Sequence, residues 1–212
     1  MIVSNSYNSK LNFFKNIFKK NKPANKNSSS NKDEKSIFMP KIVTPTDNRF
    51  VQNFIKNGGK FLYSENENEV NKNIALIIEE NGWKKSSLFS LGKEISKRFK
   101  LDYSFSKNSK DETTCLITTC EYLIADDGSI LISSNQVAEK KLNELPENII
   151  ILAKTDQLIN NISEGLSGIK NSGTSIPSNI TNLKHFKDCN DKDFLSYGSS
   201  SKNLYLILLE NQ

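Results

Sequence analysis

Apolar and polar positions alternate along this chain in two periods, and the alternation outlines an α/β domain. Phe50, Val51, Phe54 and Ile55 form one face of a helix that Asp47 is expected to cap and that Gly58 and Gly59 stop. KFLYS (60–64) reads as a strand. Ser64 and Glu67 have capping-box spacing ahead of a helix with Val70, Ile74, Ile77 and Ile78 on one side, ended by Gly82. Leu88–Leu91 predicts a short strand, and Ile95 and Phe99 the inward face of the next helix. Residues 100–112 are polar and predict no element. Two strand-like runs, within 115–134, flank Asp126-Asp127-Gly128, a strong hairpin signal because the turn residues must tolerate positive φ. A brief helix is expected over 137–144, broken at Leu145-Pro146, and NIIILA (148–153) predicts a buried strand. Thr155 or Asp156 is then expected to cap a long helix with Leu158, Ile159, Ile162, Leu166 and Ile169 inward, in which Gly165 and Gly168 permit close packing. Residues 171–202 read as mostly loop, and LYLILL (204–209) as a last buried strand. Strands alternating with helices predict an open, mostly parallel sheet covered on both faces, with an antiparallel hairpin set into it.

Composition changes this picture at one end. Of the net charge of +5, Lys10, Lys15, Lys19, Lys20 and Lys22 sit in the first 22 residues without one acid. From Ile42 onward, 20 basic residues face 22 acidic ones. The pI of 8.9 therefore reflects the N-terminus. A nearly neutral folded part argues against nucleic-acid binding, which draws on a basic surface. Residues 9–20 (SKLNFFKNIFKK) predict a short amphipathic helix with Leu11, Phe14 and Phe18 opposite the lysines, suited to a partner groove, a weak peripheral membrane contact or its own domain. The expected organisation is a basic helix over 1–22, a flexible linker over 23–41 and an α/β domain over 42–212.

The mean hydropathy is −0.53, and no stretch approaches the roughly 18 unbroken apolar residues of a membrane span. No apolar signal segment stands in residues 1–10, so a cytoplasmic location is expected. Cys115, Cys120 and Cys189, with the single His185, are too few and too scattered for a zinc or iron–sulfur centre. Neither a metal nor a cofactor is expected in this chain.

The stretch ITTCEYLIADDGSILI (117–132) resembles the central signature of the lactate-utilisation (LUD) domain family, which includes lactate utilisation protein C. That signature reads roughly Ile-Thr-Gly-Cys-Asp-Tyr-Ala-Ile-Ala-Asp-Thr-Gly-Thr. Ile117, Thr118, Cys120, Tyr122, Ile124, Ala125, Asp126 and Gly128 match it, with Glu121 and Ser129 as conservative replacements. Downstream, LPENIIILAKTDQLINNI (145–162) resembles the family's Leu-Pro, buried strand and Asp-Gln run. The resemblance implies a NagB/RpiA/CoA-transferase-like fold. It also implies service beside iron–sulfur proteins that oxidise L-lactate to pyruvate, as an accessory subunit that carries no cluster. Two family motifs are missing. No Gly-Pro-Ser stands in 184–202, and the Gly-x-His-Gly-Pro turn is replaced by Gly198-Ser199-Ser200-Ser201-Lys202.

Two other readings accompany that one. The chain could be a stand-alone small-molecule binding protein or enzyme acting on a hydroxy acid, acyl-CoA or sugar phosphate, or a degenerate structural paralogue. A small anionic ligand would sit on Asp126, Asp127, Gly128 and Ser129, where backbone N–H groups of a turn form a cradle, together with Gly198, Ser199, Ser200 and Lys202. The bland alternatives are a plain hairpin turn and a flexible loop. Glu121 is the candidate general base, against its reading as a half-exposed strand residue. His185 reads as a solvated loop residue and Cys120 as a buried hydrophobe. Adjacent carboxylates on a strand point to opposite faces, which argues against Asp126 and Asp127 as a cooperating pair.

Overall fold

The structure, a computed structural model, describes residues 44–101, 115–138, 140–172, 176–184 and 202–211. The basic segment, the linker, His185, Cys189 and Gly198–Ser201 lie outside them. The first helix, α1 (Thr46–Lys56), follows Pro45 at its N-cap, a position without the N–H a helix start leaves unused. Asp47 is not the cap: it lies inside the first turn, where its carboxylate accepts from the Asn48 amide. After strand β1 (Lys60–Ser64), α2 (Glu67–Glu80) is capped by Asn66, whose Oδ1 accepts from the Glu69 amide. Ser64 is instead buried at the end of β1, where its Oγ accepts from Asn73. Strand β2 shrinks to Leu88–Phe89 before α3 (Lys93–Phe99).

The stretch expected to be one hairpin divides into three strands. β3 (Cys115–Thr119) enters the main sheet, and the chain leaves it at Cys120-Glu121. β4 (Tyr122–Ile124) and β5 (Ser129–Ser133) then pair antiparallel, Ile124 opposite Ser129, as the Asp-Gly turn predicts, but in a second sheet. The helix expected over 137–144 forms earlier: Ser133 and Gln136 cap each other at the start of α4 (Ser134–Val137), and a 3-10 turn covers Leu142–Glu144. β6 (Asn148–Lys154) is the buried strand read from the sequence. Behind it the long helix does not form. Thr155–Gln157 is a 3-10 turn, Leu158–Ile159 is strand β7, and α5 (Ile162–Asn171) starts from Asn161.

The face of α5 also differs from expectation. Ile162 and Leu166 are 41% and 43% exposed, while Gly165 and Ile169 are buried. A Cβ built on Gly165 would stand 2.7 Å from Leu131, and one on Gly168 2.4 Å from the Tyr122 hydroxyl. The absence of side chains at these two glycines lets α5 lie directly on the second sheet, and that close approach outweighs the apolar stripe. β8 (Ile180–Leu183) was hidden in the polar stretch after α5; β9 (Asn203–Leu209) ends the described chain's sheet-forming part.

The main sheet runs β1-β9-β6-β3-β2, all parallel, and the second β7-β4-β5-β8, mixed. Val70, Ile74 and Ile77 of α2 share one core with Cys115, Ile117, Ile150, Leu152, Tyr205 and Ile207. The alternate residues Leu116, Ile149, Ile151 and Leu206 are also buried, so the central strands are covered on both faces. The chain leaves the carboxyl ends of β3 and β6 to build the second sheet. Gln157 ties these two exits together: its Nε2 donates to the carbonyls of Cys120 (2.6 Å) and Glu121 (3.1 Å), and its Oε1 accepts from the Lys154 amide. Among the described residues, no helix is long and apolar enough to cross a membrane.

Candidate functional site

Parallel strands end with their carbonyl edges on one side of a sheet, and the crevice beyond them is the usual ligand site of open α/β folds. Such a crevice of about 390 Å³ lies at the carboxyl ends of β3, β6 and β9. Its wall is apolar, from Val70, Ile95, Cys120, Leu152, Ile207 and Leu209. Its rim is polar, from Glu67, Arg98, Thr119, Lys154, Asp156 and Gln157. The volume falls in the range of small-molecule sites. Glu67 at the start of α2 and Arg98 in the last turn of α3 form an ion pair across it, and the Arg98 guanidinium lies 4.7 Å over the Phe99 ring. Partial burial lowers the Arg98 pKa from its ordinary value. Asp156 Oδ2 accepts from Asn211 Nδ2 at 3.0 Å, which fixes the carboxylate against the segment after β9. The Lys154 ammonium makes no ion pair among the described residues, and its residue is exposed.

The residues singled out from sequence lie elsewhere. The turn after β4 rests on α1. Asn53 Nδ2 donates to the carbonyls of Ala125 and Asp126, and Asn57 Nδ2 to that of Asp127. Asp126 pairs with Arg49 at 3.3 Å, and Asp127 with Lys184 at 3.5 Å. Three of the four amides that would cradle an anion are already engaged: Asp126 N–H donates to the Asn160 carbonyl, Gly128 N–H to that of Ile124, and Ser129 N–H to Asp127 Oδ1. Glu121 stands beside the crevice through its backbone, but its carboxylate turns to α4, where it accepts from Ser133 Oγ (2.6 Å), Gln136 Nε2 (3.0 Å) and Asn135 Nδ2 (3.3 Å). Lys202 is buried at the opposite, amino end of β9. Its Nζ donates to the Leu145 carbonyl, and burial lowers its pKa against the raising effect of Glu147. Gly198, Ser199 and Ser200 lie outside the described residues.

Cys115 and Cys120 are free and buried, and desolvation pushes both thiols far above their ordinary range, with the Glu121 charge adding to the effect at Cys120. A thiol held protonated is neither a nucleophile nor a metal ligand. Among the described residues, no group of His, Cys, Asp and Glu is placed to hold a metal ion. The crevice residues Arg98, Thr119 and Lys154 were not singled out from sequence. Thr119 and Lys154 carry a readable signal, each being the last residue of a buried parallel strand.

The all-parallel five-stranded sheet, the second mixed sheet and a ligand-sized crevice at the carboxyl edge define an α/β protein of the open-sheet class. Within that class the LUD domain matches residues 48–209, and the chain belongs to the LUD-domain family, which is associated with lactate utilisation. No curated protein matches the chain. Among solved structures, a DUF162 family protein from Deinococcus radiodurans has a similar fold, with a TM-score of 0.56 and 13% identity over 78% of this chain and 96% of that one.

Proposed function

We propose that this protein serves the oxidation of L-lactate to pyruvate as an accessory subunit that carries no cluster and works beside iron–sulfur proteins. The observation that carries the reading is the family match over 48–209. Burial of Cys115 and Cys120 supports it, because neither thiol is available to ligate a cluster and electrons would have to travel through partners. Affinity purification of the tagged full chain from its native cells is expected to bring down cysteine-rich iron–sulfur proteins, and deletion of its gene to abolish growth on L-lactate. A chain that purifies alone, from cells whose deletion strain still grows normally on L-lactate, refutes the reading.

A further inference from the structure

The crevice at the carboxyl edge has a charge pattern that selects among ligands. Its rim holds two cations, Arg98 and Lys154, and two carboxylates, Glu67 and Asp156. Arg98 and Glu67 neutralise each other. At the start of α2 the Glu69 amide donates to Asn66 Oδ1, and Glu67 and Glu69 place two carboxylates in the first turn, where they disfavour an anion. A rim of zero net charge, beside a helix start that carries two carboxylates, is a poor host for phosphate or diphosphate groups, which need an excess of cations. What the rim leaves available is one ammonium, Lys154, two residues from a carboxylate, Asp156, of which one oxygen is held by Asn211. Behind them lies the apolar wall of Val70, Ile95, Leu152 and Ile207.

We infer that this crevice binds a monocarboxylate that carries a hydrogen-bond donor on its α-carbon and an apolar side chain larger than a methyl group. The ligand carboxylate sits on Lys154 Nζ, the α-hydroxyl or α-ammonium donates to Asp156, and the side chain covers the wall. A three-carbon acid fills only part of about 390 Å³ and leaves the wall wet, so five- and six-carbon acids with a branched side chain bind more tightly than lactate itself. This site does not depend on the iron–sulfur partners proposed above and stands or falls by itself.

The test is titration calorimetry of the full chain with 2-hydroxyisocaproate, L-leucine, isocaproate, L-lactate and inorganic phosphate. At least one of the two donor-bearing branched acids is expected to bind, at least tenfold more tightly than isocaproate or L-lactate, with no heat from phosphate. The better of the two identifies the α-donor as hydroxyl or ammonium. Lys154→Gln is expected to weaken that binding tenfold or more, and Asp156→Asn to remove the preference over isocaproate. The inference is overturned if neither donor-bearing acid binds, if phosphate binds as tightly, or if both variants keep the wild-type affinity. Comparison of the five probes on the unaltered chain decides the question even if a variant fails to fold.

Discussion

Gly128→Ala tests whether the family signature works by docking the second sheet on α1. Gly128 has φ of +70°, a conformation that costs an L-residue about 1–2 kcal/mol. The added Cβ would also stand 2.3 Å from the Phe54 amide nitrogen and 2.4 Å from the Asn53 carbonyl carbon. Both atoms are helix backbone, so no rotamer change relieves the overlap, and a backbone shift of that kind costs about 1–3 kcal/mol more. Gly82 provides the control, because its φ is +63° but nothing lies within 4 Å of its Cβ position. Gly82→Ala therefore carries the backbone penalty alone, about 1–2 kcal/mol, and Gly128→Ala about 2–5 kcal/mol. Against a total stability of about 5–15 kcal/mol both variants remain foldable. Urea unfolding followed by circular dichroism measures the two directly, and the thermal midpoint should separate them by about 2–4 °C for each kcal/mol. If Gly128→Ala is no less stable than Gly82→Ala, the turn is not pressed on α1 and the docking argument fails.

Three further outcomes follow from the packing. Gln157→Ala removes the hydrogen bonds that join the exits of β3 and β6 and should cost about 1–3 kcal/mol in the same unfolding assay; an unchanged midpoint contradicts its tying role. Gly168→Ala should destabilise by about 1–3 kcal/mol despite the better helix propensity of alanine, and the loss should shrink by at least about 0.5 kcal/mol when Tyr122→Leu removes the facing hydroxyl. Additive losses would show that the two do not touch. Cys115 and Cys120 stay protonated in the folded chain while the unfolded chain ionises near the ordinary value of 9.0, so their contribution is intact below that pH and falls as pH rises above it. The loss should grow as pH rises above 9.0 and be absent from a Cys115→Ala/Cys120→Ala variant; parallel pH profiles would refute it.

The fold was largely legible because its strongest signals are long and regular. The buried runs at 148–154 and 203–209 and the stripe of α2 appear where their periods place them. Elements that depend on tertiary contact were not legible. The segment 155–171 has a helical apolar stripe throughout, yet Leu158–Ile159 pairs with β4 and only 162–171 is helical. β8 shows no apolar alternation, since of its residues Leu183 alone is buried, and its existence follows from the neighbouring edge of β5. The same limit applies to the site. An Asp-Gly turn looks alike whether its carbonyls face solvent or a helix, and only the position of Asn53 and Asn57, some seventy residues earlier, decides which. The crevice gathers residues from α2, α3, β3, β6 and β9, an assembly that no local pattern announces.

The turn of the family signature and the crevice are therefore different places in this molecule. Most of the matching residues of 117–128 have structural tasks. Ile117 and Cys120 are buried, Tyr122 faces the glycines of α5, Asp126 pairs with Arg49, and Gly128 fits against α1. The Asp-Gln run downstream is anchored by Gln157, which bonds back to Cys120 and Glu121 of that signature. These two stretches hold the second sheet at a fixed place relative to the carboxyl edge of the first. Of them, Thr119, Cys120, Leu152, Ala153, Lys154, Asp156 and Gln157 reach the crevice. Of its cationic groups, Lys154 ends the buried strand of the downstream stretch, and Arg98 lies outside both stretches. The matched residues Tyr122, Asp126 and Gly128 thus keep the frame without lining the crevice. Lys202, next to the amino end of β9, stands away from the crevice, which Ile207 and Leu209 reach at the strand's other end.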